Sequence, residues 1–164
     1  MNRPDINIVF ATMKDIDSLV DVYSEWSEFK DVLPKELVEP ETHESLIKYF
    51  DGSNKTRKYL IATVANRIPV GACYMDISFL SLRNIRLGDM IVKNKYRKQG
   101  IGSRLVDTVV SFAQQNQCAK VWLWTQKELH DAIRLYEKKG FILEGTIQKQ
   151  FCNQDALLYG LVLG

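Results

Sequence analysis

A basic, glycine-punctuated turn, Arg97-Lys98-Gln99-Gly100-Ile101-Gly102, stands between a strand-forming run, Asp89-Met90-Ile91-Val92, and an apolar-striped segment that begins at Ile101. The first turn of a helix carries amides without intrahelical partners and the positive end of the helix dipole, so a phosphate can sit there. Glycine lets the backbone approach such an anion and take conformations that other residues resist. Lys95, Arg97 and Lys98 bring positive charge to the same place, with Ser103 and Arg104 close behind. A pyrophosphate would satisfy all of these features. The turn is not a P-loop, because no Gly-Lys-Ser/Thr follows, and it is not a G-x-G-x-x-G fingerprint. Taken alone it also fits a tight strand-to-helix turn with solvated basic side chains.

Charge is unevenly placed along the chain. The total is +2, but Ala11 to Phe50 holds ten acidic and four basic residues, whereas Ser81 to Gln150 holds thirteen basic and six acidic ones. One region is therefore suited to an anion and another to a cation, although differing solvated helix faces would give the same count. Cys73, Cys118 and Cys152 are odd in number and form no C-x-x-C pair with each other or with His43 and His130. Neither a zinc site nor a disulfide framework is expected, and a reducing, cytoplasmic setting fits. Met1 to Asp5 lacks a signal-like apolar stretch, and Ala156 to Leu163 is far shorter than the ~20 residues that span a bilayer.

The elements that must position the turn follow from periodicity. Ile6 to Phe10 reads as a strand, Met13 or Asp15 to Phe29 as a helix, and Glu41 to Phe50 as a second, short helix after a segment bracketed by Pro34 and Pro40. Tyr59 to Val64 and Val70 to Leu80 read as an antiparallel hairpin around Asn66 to Pro69, and Asn84 to Lys93 as a further strand. Ile101, Leu105, Val106, Val109, Val110 and Phe112 give a broad helical face. Lys120 to Thr125 is a strand, Asp131 to Lys139 a helix stopped by Gly140, and Phe141 to Ile147 and Leu157 to Leu163 are the last strands. With no repeat or linker, 1–164 reads as one domain with a mixed α/β (α+β) sheet.

Within this order the turn matches the R/Q-x-x-G-x-G/A signature, and Ala132-Ile133-Arg134-Leu135-Tyr136-Glu137-Lys138-Lys139-Gly140-Phe141 matches an A-x-x-L-Y-E-K-x-G-F segment. On these two motifs and the element order, the chain resembles the GCN5-related N-acetyltransferase (GNAT) superfamily. The resemblance implies a mostly antiparallel central sheet of about seven strands flanked by about four helices, in the order β-α-α-β-β-β-α-β-α-β-β. It implies acetyl-CoA as cosubstrate, with no metal, and direct transfer of the acetyl group to a primary amine in a ternary complex. The backbone of Arg97, Lys98, Gln99, Gly100, Ile101, Gly102, Ser103 and Arg104 would hold the pyrophosphate. Met90, Ile91 and Val92 would run beside the pantetheine arm, splayed from Lys120 to Thr125, with amides near Met90 and Val92 facing the thioester oxygen.

Tyr136 takes the position of the family's tyrosine, which meets the departing thiolate; a packed aromatic is the plainer alternative. Two departures matter. Leu129 stands where relatives often have Asn, and Trp124 where some carry a Glu that serves as base. The base is left open among a water chain, Asp89, Glu128 and His130. The resemblance puts the acceptor against the acidic segment, where Glu25 and Glu28 would attract a cation and Trp26 and Phe29 would add apolar or cation–π contact. A polyamine or other cationic amine is the acceptor this favours, with a protein N-terminus or lysine, or a non-catalytic acyl-CoA-binding regulator, as alternatives. The near-balanced charge argues against nucleic acid as partner, and edge strands permit a monomer or a homodimer.

Overall fold

Seven strands form one sheet in the computed structural model, which describes residues 5–65 and 67–164. Residues 1–4 of the Met1 to Asp5 stretch, and Asn66 of the expected turn, lie outside the described residues. The strands are β1 (Ile6–Phe10), β2 (Arg57–Val64), β3 (Ile68–Asp76), β4 (Asn84–Val92), β5 (Lys120–Thr125), β6 (Ile142–Phe151) and β7 (Gln154–Val162), ordered β1-β2-β3-β4-β5-β7-β6. Among the described residues only the β4–β5 pair is parallel. The helices are α1 (Ile16–Tyr23), α2 (Lys35–Val38), α3 (His43–Ile47), α4 (Ile101–Gln115) and α5 (His130–Lys138).

Strand alternation divides the core between the two faces of the sheet. Leu60 and Ala62 of β2 face the α4 side, where Ile101, Leu105, Val106 and Val109 are buried; Tyr59 and Ile61 face Leu19 and Val22 of α1 and Leu46 of α3. Gly140, at φ +87, ends α5 as expected, and the Phe141 amide donates to the Tyr136 carbonyl at 3.0 Å.

Several expected boundaries differ from the observed ones. The first helix is α-helical only to Tyr23, and Ser24–Phe29 tightens to a 3₁₀ turn. There the Ser24 hydroxyl donates to the Asp21 carbonyl (2.7 Å) and the Ser27 hydroxyl to the Ser24 carbonyl (2.8 Å), competing for groups that a regular helix would use. The second helix is one turn, capped by Thr42, and α2 adds a further turn after Pro34. β3 stops at Asp76, whose carboxylate accepts from the Ser78 amide at 3.0 Å, so Leu80 lies in a 3₁₀ turn. The last hairpin is longer than expected. Its tip is Cys152-Asn153, both at positive φ, a turn that commonly carries Asn-Gly.

Candidate active site

β4 and β5 pair only from Asn84↔Lys120 to Arg86↔Trp122, after which β5 continues with β7 and β4 with β3. From Leu87 to Val92 the β5-facing edge of β4 is therefore open. At the far end of that opening the chain passes Arg97 in extended conformation, Lys98 at φ +60 and Gly100 at φ +90 into α4. The first i→i−4 bond of α4 runs from the Arg104 amide to the Gly100 carbonyl at 3.0 Å. The amides of Ile101, Gly102 and Ser103 precede it, which leaves them for an anion. Nothing lies within 4 Å of where a Gly100 Cβ would be, so glycine is needed there for its backbone conformation, not for space.

The near end of the opening is a cleft of about 510 Å³. Its floor is Leu87, Gly88, Asp89 and Met90 of β4, and its walls include Trp124 and Thr125 of β5, Leu129, Ala132 and Tyr136, Tyr23 and Trp26, Glu36, Glu39 and Glu41, and Phe151 from the last hairpin. β4 is bulged at the floor. Gly88 pairs with Tyr74 and Ile91 with Ala72, so two residues, Asp89 and Met90, oppose the single Cys73. A bulge of this kind re-aims side chains. Asp89, at φ +41, thereby turns to the cleft. Gly88 is also required by contact, since a Cβ there would stand 2.2 Å from Cζ of Tyr74.

Asp89 is open to the cleft but walled by protein, and this poor hydration raises its carboxyl above the ordinary aspartate range; Arg57 and Arg86 offset the effect only in part. Tyr136 is 6% exposed and packs on Phe141 at 5.9 Å. Burial, followed by Cys73 and Asp89, holds its phenol well above its usual value. At ordinary pH Tyr136 is thus a hydrogen-bond donor that gives up its proton reluctantly.

Of the base candidates, Asp89 lines the cleft, while Glu128 and His130 are not among its lining residues. Trp124 stacks edge-on with Trp122 and Phe151, and Arg86 lies over its ring at 4.5 Å. Trp26 is in the cleft wall, but Glu25 and Glu28 turn to the basic loop instead. Glu25 accepts from the Asn94 amide at 3.0 Å, and Glu28 accepts from the Asn94 side chain at 3.1 Å and pairs with Arg97 at 2.8 Å. Phe29 lies beneath the Arg97 guanidinium at 5.4 Å. Arg97 itself donates from Nε to the Val92 carbonyl at 2.8 Å, fixing the exit of β4. The carboxylates on the cleft wall are Glu36, Glu39 and Glu41, which belong to the acidic stretch from Ala11 to Phe50 and continue it beyond Glu25 and Glu28. Phe151 and Tyr23 carried no local signal, because the hairpin length and the crossing of α1 over β4 bring them in.

A smaller depression of about 390 Å³ lies between Phe10 and the outer side of α4, where Asp107 is already paired with Lys139 at 2.6 Å.

Residues 19–141 match the family model described as Acetyltransferase (GNAT) family. The chain is 33% identical over 93 residues to N-alpha-acetyltransferase 30 of Saccharomyces cerevisiae, a match covering 53% of this chain and 51% of that one. The chain thus spans about half the length of this curated relative. It shares its fold with the GNAT-family acetyltransferase of Streptococcus pneumoniae (TM-score 0.77, 20% identity, 98% of this chain and 100% of that one). A similar likeness holds for an N-acetyltransferase from Staphylococcus aureus Mu50 (TM-score 0.80, 17% identity, 98% and 99%).

Proposed function

We propose that this chain, which belongs to the acetyltransferase (GNAT) family, transfers an acetyl group from acetyl-CoA to the α-amino group of a peptide. The observation that carries this reading is the parting of β4 from β5 after Arg86 and Trp122, with an anion-binding turn at one end and the Asp89–Tyr136 cleft at the other. A pyrophosphate fits the first, because free amides of Ile101, Gly102 and Ser103 meet the left-handed Gly100 there. An extended pantetheine fits the open edge of Met90, Ile91 and Val92, which would pair with it as an added strand. The acceptor α is supported by the name of the yeast relative.

In this scheme the neutral amine attacks the thioester carbonyl, the C–N bond forms and the C–S bond breaks. Asp89 takes the proton that the amine nitrogen loses, directly or through one water, and its raised affinity for protons suits that task. Amides near Met90 and Val92 face the developing oxyanion. Tyr136 donates a hydrogen bond to the departing sulfur. Its phenol, held above the ordinary ~10, is too weak an acid to protonate a thiolate of ordinary pKa ~8.5 fully, so its contribution is the hydrogen bond.

A second reading, a polyamine acceptor, is favoured by a different observation. The cleft lining contains four carboxylates, Glu36, Glu39, Glu41 and Asp89, and no Lys or Arg among the described residues. A thiol-release assay with acetyl-CoA against short peptides bearing free or blocked N-termini and against spermidine tests both. Release with free-amine peptides alone supports the first reading, and release with spermidine alone the second. Saturable acetyl-CoA binding without release on any amine would instead make the chain an acyl-CoA-binding regulator.

A further inference from the structure

Three tyrosines line up behind the cleft floor, and one of them has no partner. Tyr74 accepts from Arg86 at 2.9 Å and Tyr59 from Arg57 at 3.3 Å. Tyr23, fully buried and packed edge-on against Tyr59 at 6.3 Å, has a hydroxyl with no hydrogen-bond partner among the described residues. It nevertheless lines the cleft, beside Asp89. A buried hydroxyl left unpaired costs stability, and native chains keep few of them. Buried donors in particular are seldom left without acceptors.

We propose that the Tyr23 hydroxyl is the acceptor-anchoring group of the cleft, donating to the carbonyl oxygen that follows the α-amine of a peptide while Asp89 receives the amine itself. The inference rests on the peptide reading above and names what selects that substrate. The two guanidinium groups near Asp89 are already engaged, Arg57 with Tyr59 and Arg86 with Tyr74 and with Asp76 at 3.1 Å. The cleft therefore has a carboxylate on its floor, Asp89, and on its wall a buried donor with no protein partner among the described residues, the Tyr23 hydroxyl. An α-amino amide presents the complementary pair, a cationic or neutral amine and a carbonyl oxygen three bonds away. A polyamine presents only amines and leaves the hydroxyl unserved. Burial, then the Asp89 charge, keeps the Tyr23 phenol protonated, so it remains a donor throughout the neutral range.

The test uses the full chain saturated with CoA. Titration calorimetry measures binding of a hexapeptide that begins with methionine and has a free α-amine, and of its twin whose first carbonyl is reduced to a methylene. Tyr23→Phe should weaken the parent peptide about five- to tenfold, the value of one neutral hydrogen bond, and leave the reduced twin unaffected. The same variant should melt no lower than wild type and about 2–4 °C higher, because an unpaired buried hydroxyl has been removed. A lower melting temperature would mean a structural role and overturn the proposal. Equal binding of the parent peptide by both proteins, or no binding by wild type, would overturn it as well. Binding that follows the expected pattern without thiol release would sink the transferase reading alone and leave the anchoring role standing.

Discussion

Arg97 and Glu28 face each other at 2.8 Å, and Lys93 and Asp21 at 2.5 Å, so the basic loop after β4 is fastened to α1 and to the 3₁₀ turn that follows it. The opposed charges of the two halves of the chain are in part each other's partners. This arrangement uses Arg97 as a structural clamp: Nε on the Val92 carbonyl, guanidinium on Glu28, and its face on Phe29. Its charge is consequently less available to an anion than that of Lys98.

Arg97→Ala and Lys98→Ala should then weaken acetyl-CoA in different ways. Loss of the Arg97 clamp releases the loop and should raise the acetyl-CoA Kd about tenfold, with little dependence on salt. Loss of Lys98 removes a screened surface charge, so its smaller effect should fade between low salt and physiological ionic strength. Calorimetric titration at two salt concentrations checks both; equal salt dependence would contradict the clamp.

Tyr136→Phe removes only the hydroxyl and keeps the ring against Phe141. Turnover should fall about 10- to 100-fold while the acetyl-CoA Kd changes less than about twofold. Steady-state kinetics with direct titration of the cosubstrate reads the two effects separately. Unchanged turnover would remove Tyr136 from the chemistry.

Much of this fold and part of the site were legible because they are written locally. Strand β5 was read with its observed ends, since Lys120 to Thr125 alternates small or branched residues with large ones, which fall on buried and half-buried faces. The turn into α4 was legible because glycine and the basic residues mark it directly. Glu25 and Glu28 illustrate the limit of spacing: helical periodicity gives a shared face, but only the tertiary crossing decides that the face meets Asn94 and Arg97. Asp89 was named only as one of several bases, because a bulge depends on strand register, and no residue-type pattern in Leu87 to Val92 encodes the extra residue opposite Cys73. The Cys152-Asn153 tip lacks the usual turn pair, and with it the reach of Phe151 into the cleft was hidden.

Asp76 should govern part of the acid stability. Burial pushes its carboxyl up, but hydrogen bonds from Ser78 and the Arg86 guanidinium outweigh that and hold it below the usual range. A folded-state pKa below the unfolded ~3.9 gives stability that is present above that pH and lost as pH falls through the folded value. Asp76→Asn leaves Arg86, with 8% of its side chain exposed, without its counter-charge and should cost about 3 kcal/mol at pH 7. Calorimetric melting from pH 2 to 7 should show the wild type losing its advantage below about pH 4, where the two proteins converge. Parallel curves throughout would rule out the pair as the cause.

Asp89 carries the opposite sign, and this makes it separable from Asp76. Its folded-state pKa is raised, chiefly by poor hydration between the cleft walls, so the wild type loses stability as pH rises from the unfolded pKa through the folded one. Asp89→Asn escapes that loss and should melt higher than wild type at pH 7, a gain in stability of the kind that active sites often forgo. The same change removes the proposed proton acceptor. Values of kcat/KM should fall about 100-fold, and the acidic limb of the wild-type pH profile, expected above the ordinary ~3.9 of an aspartate, should disappear from the variant. Measuring both melting temperature and the pH profile on one preparation separates the outcomes. A variant that is more stable yet retains the wild-type profile would show that Asp89 is strained for some other reason and that the proton leaves by another route.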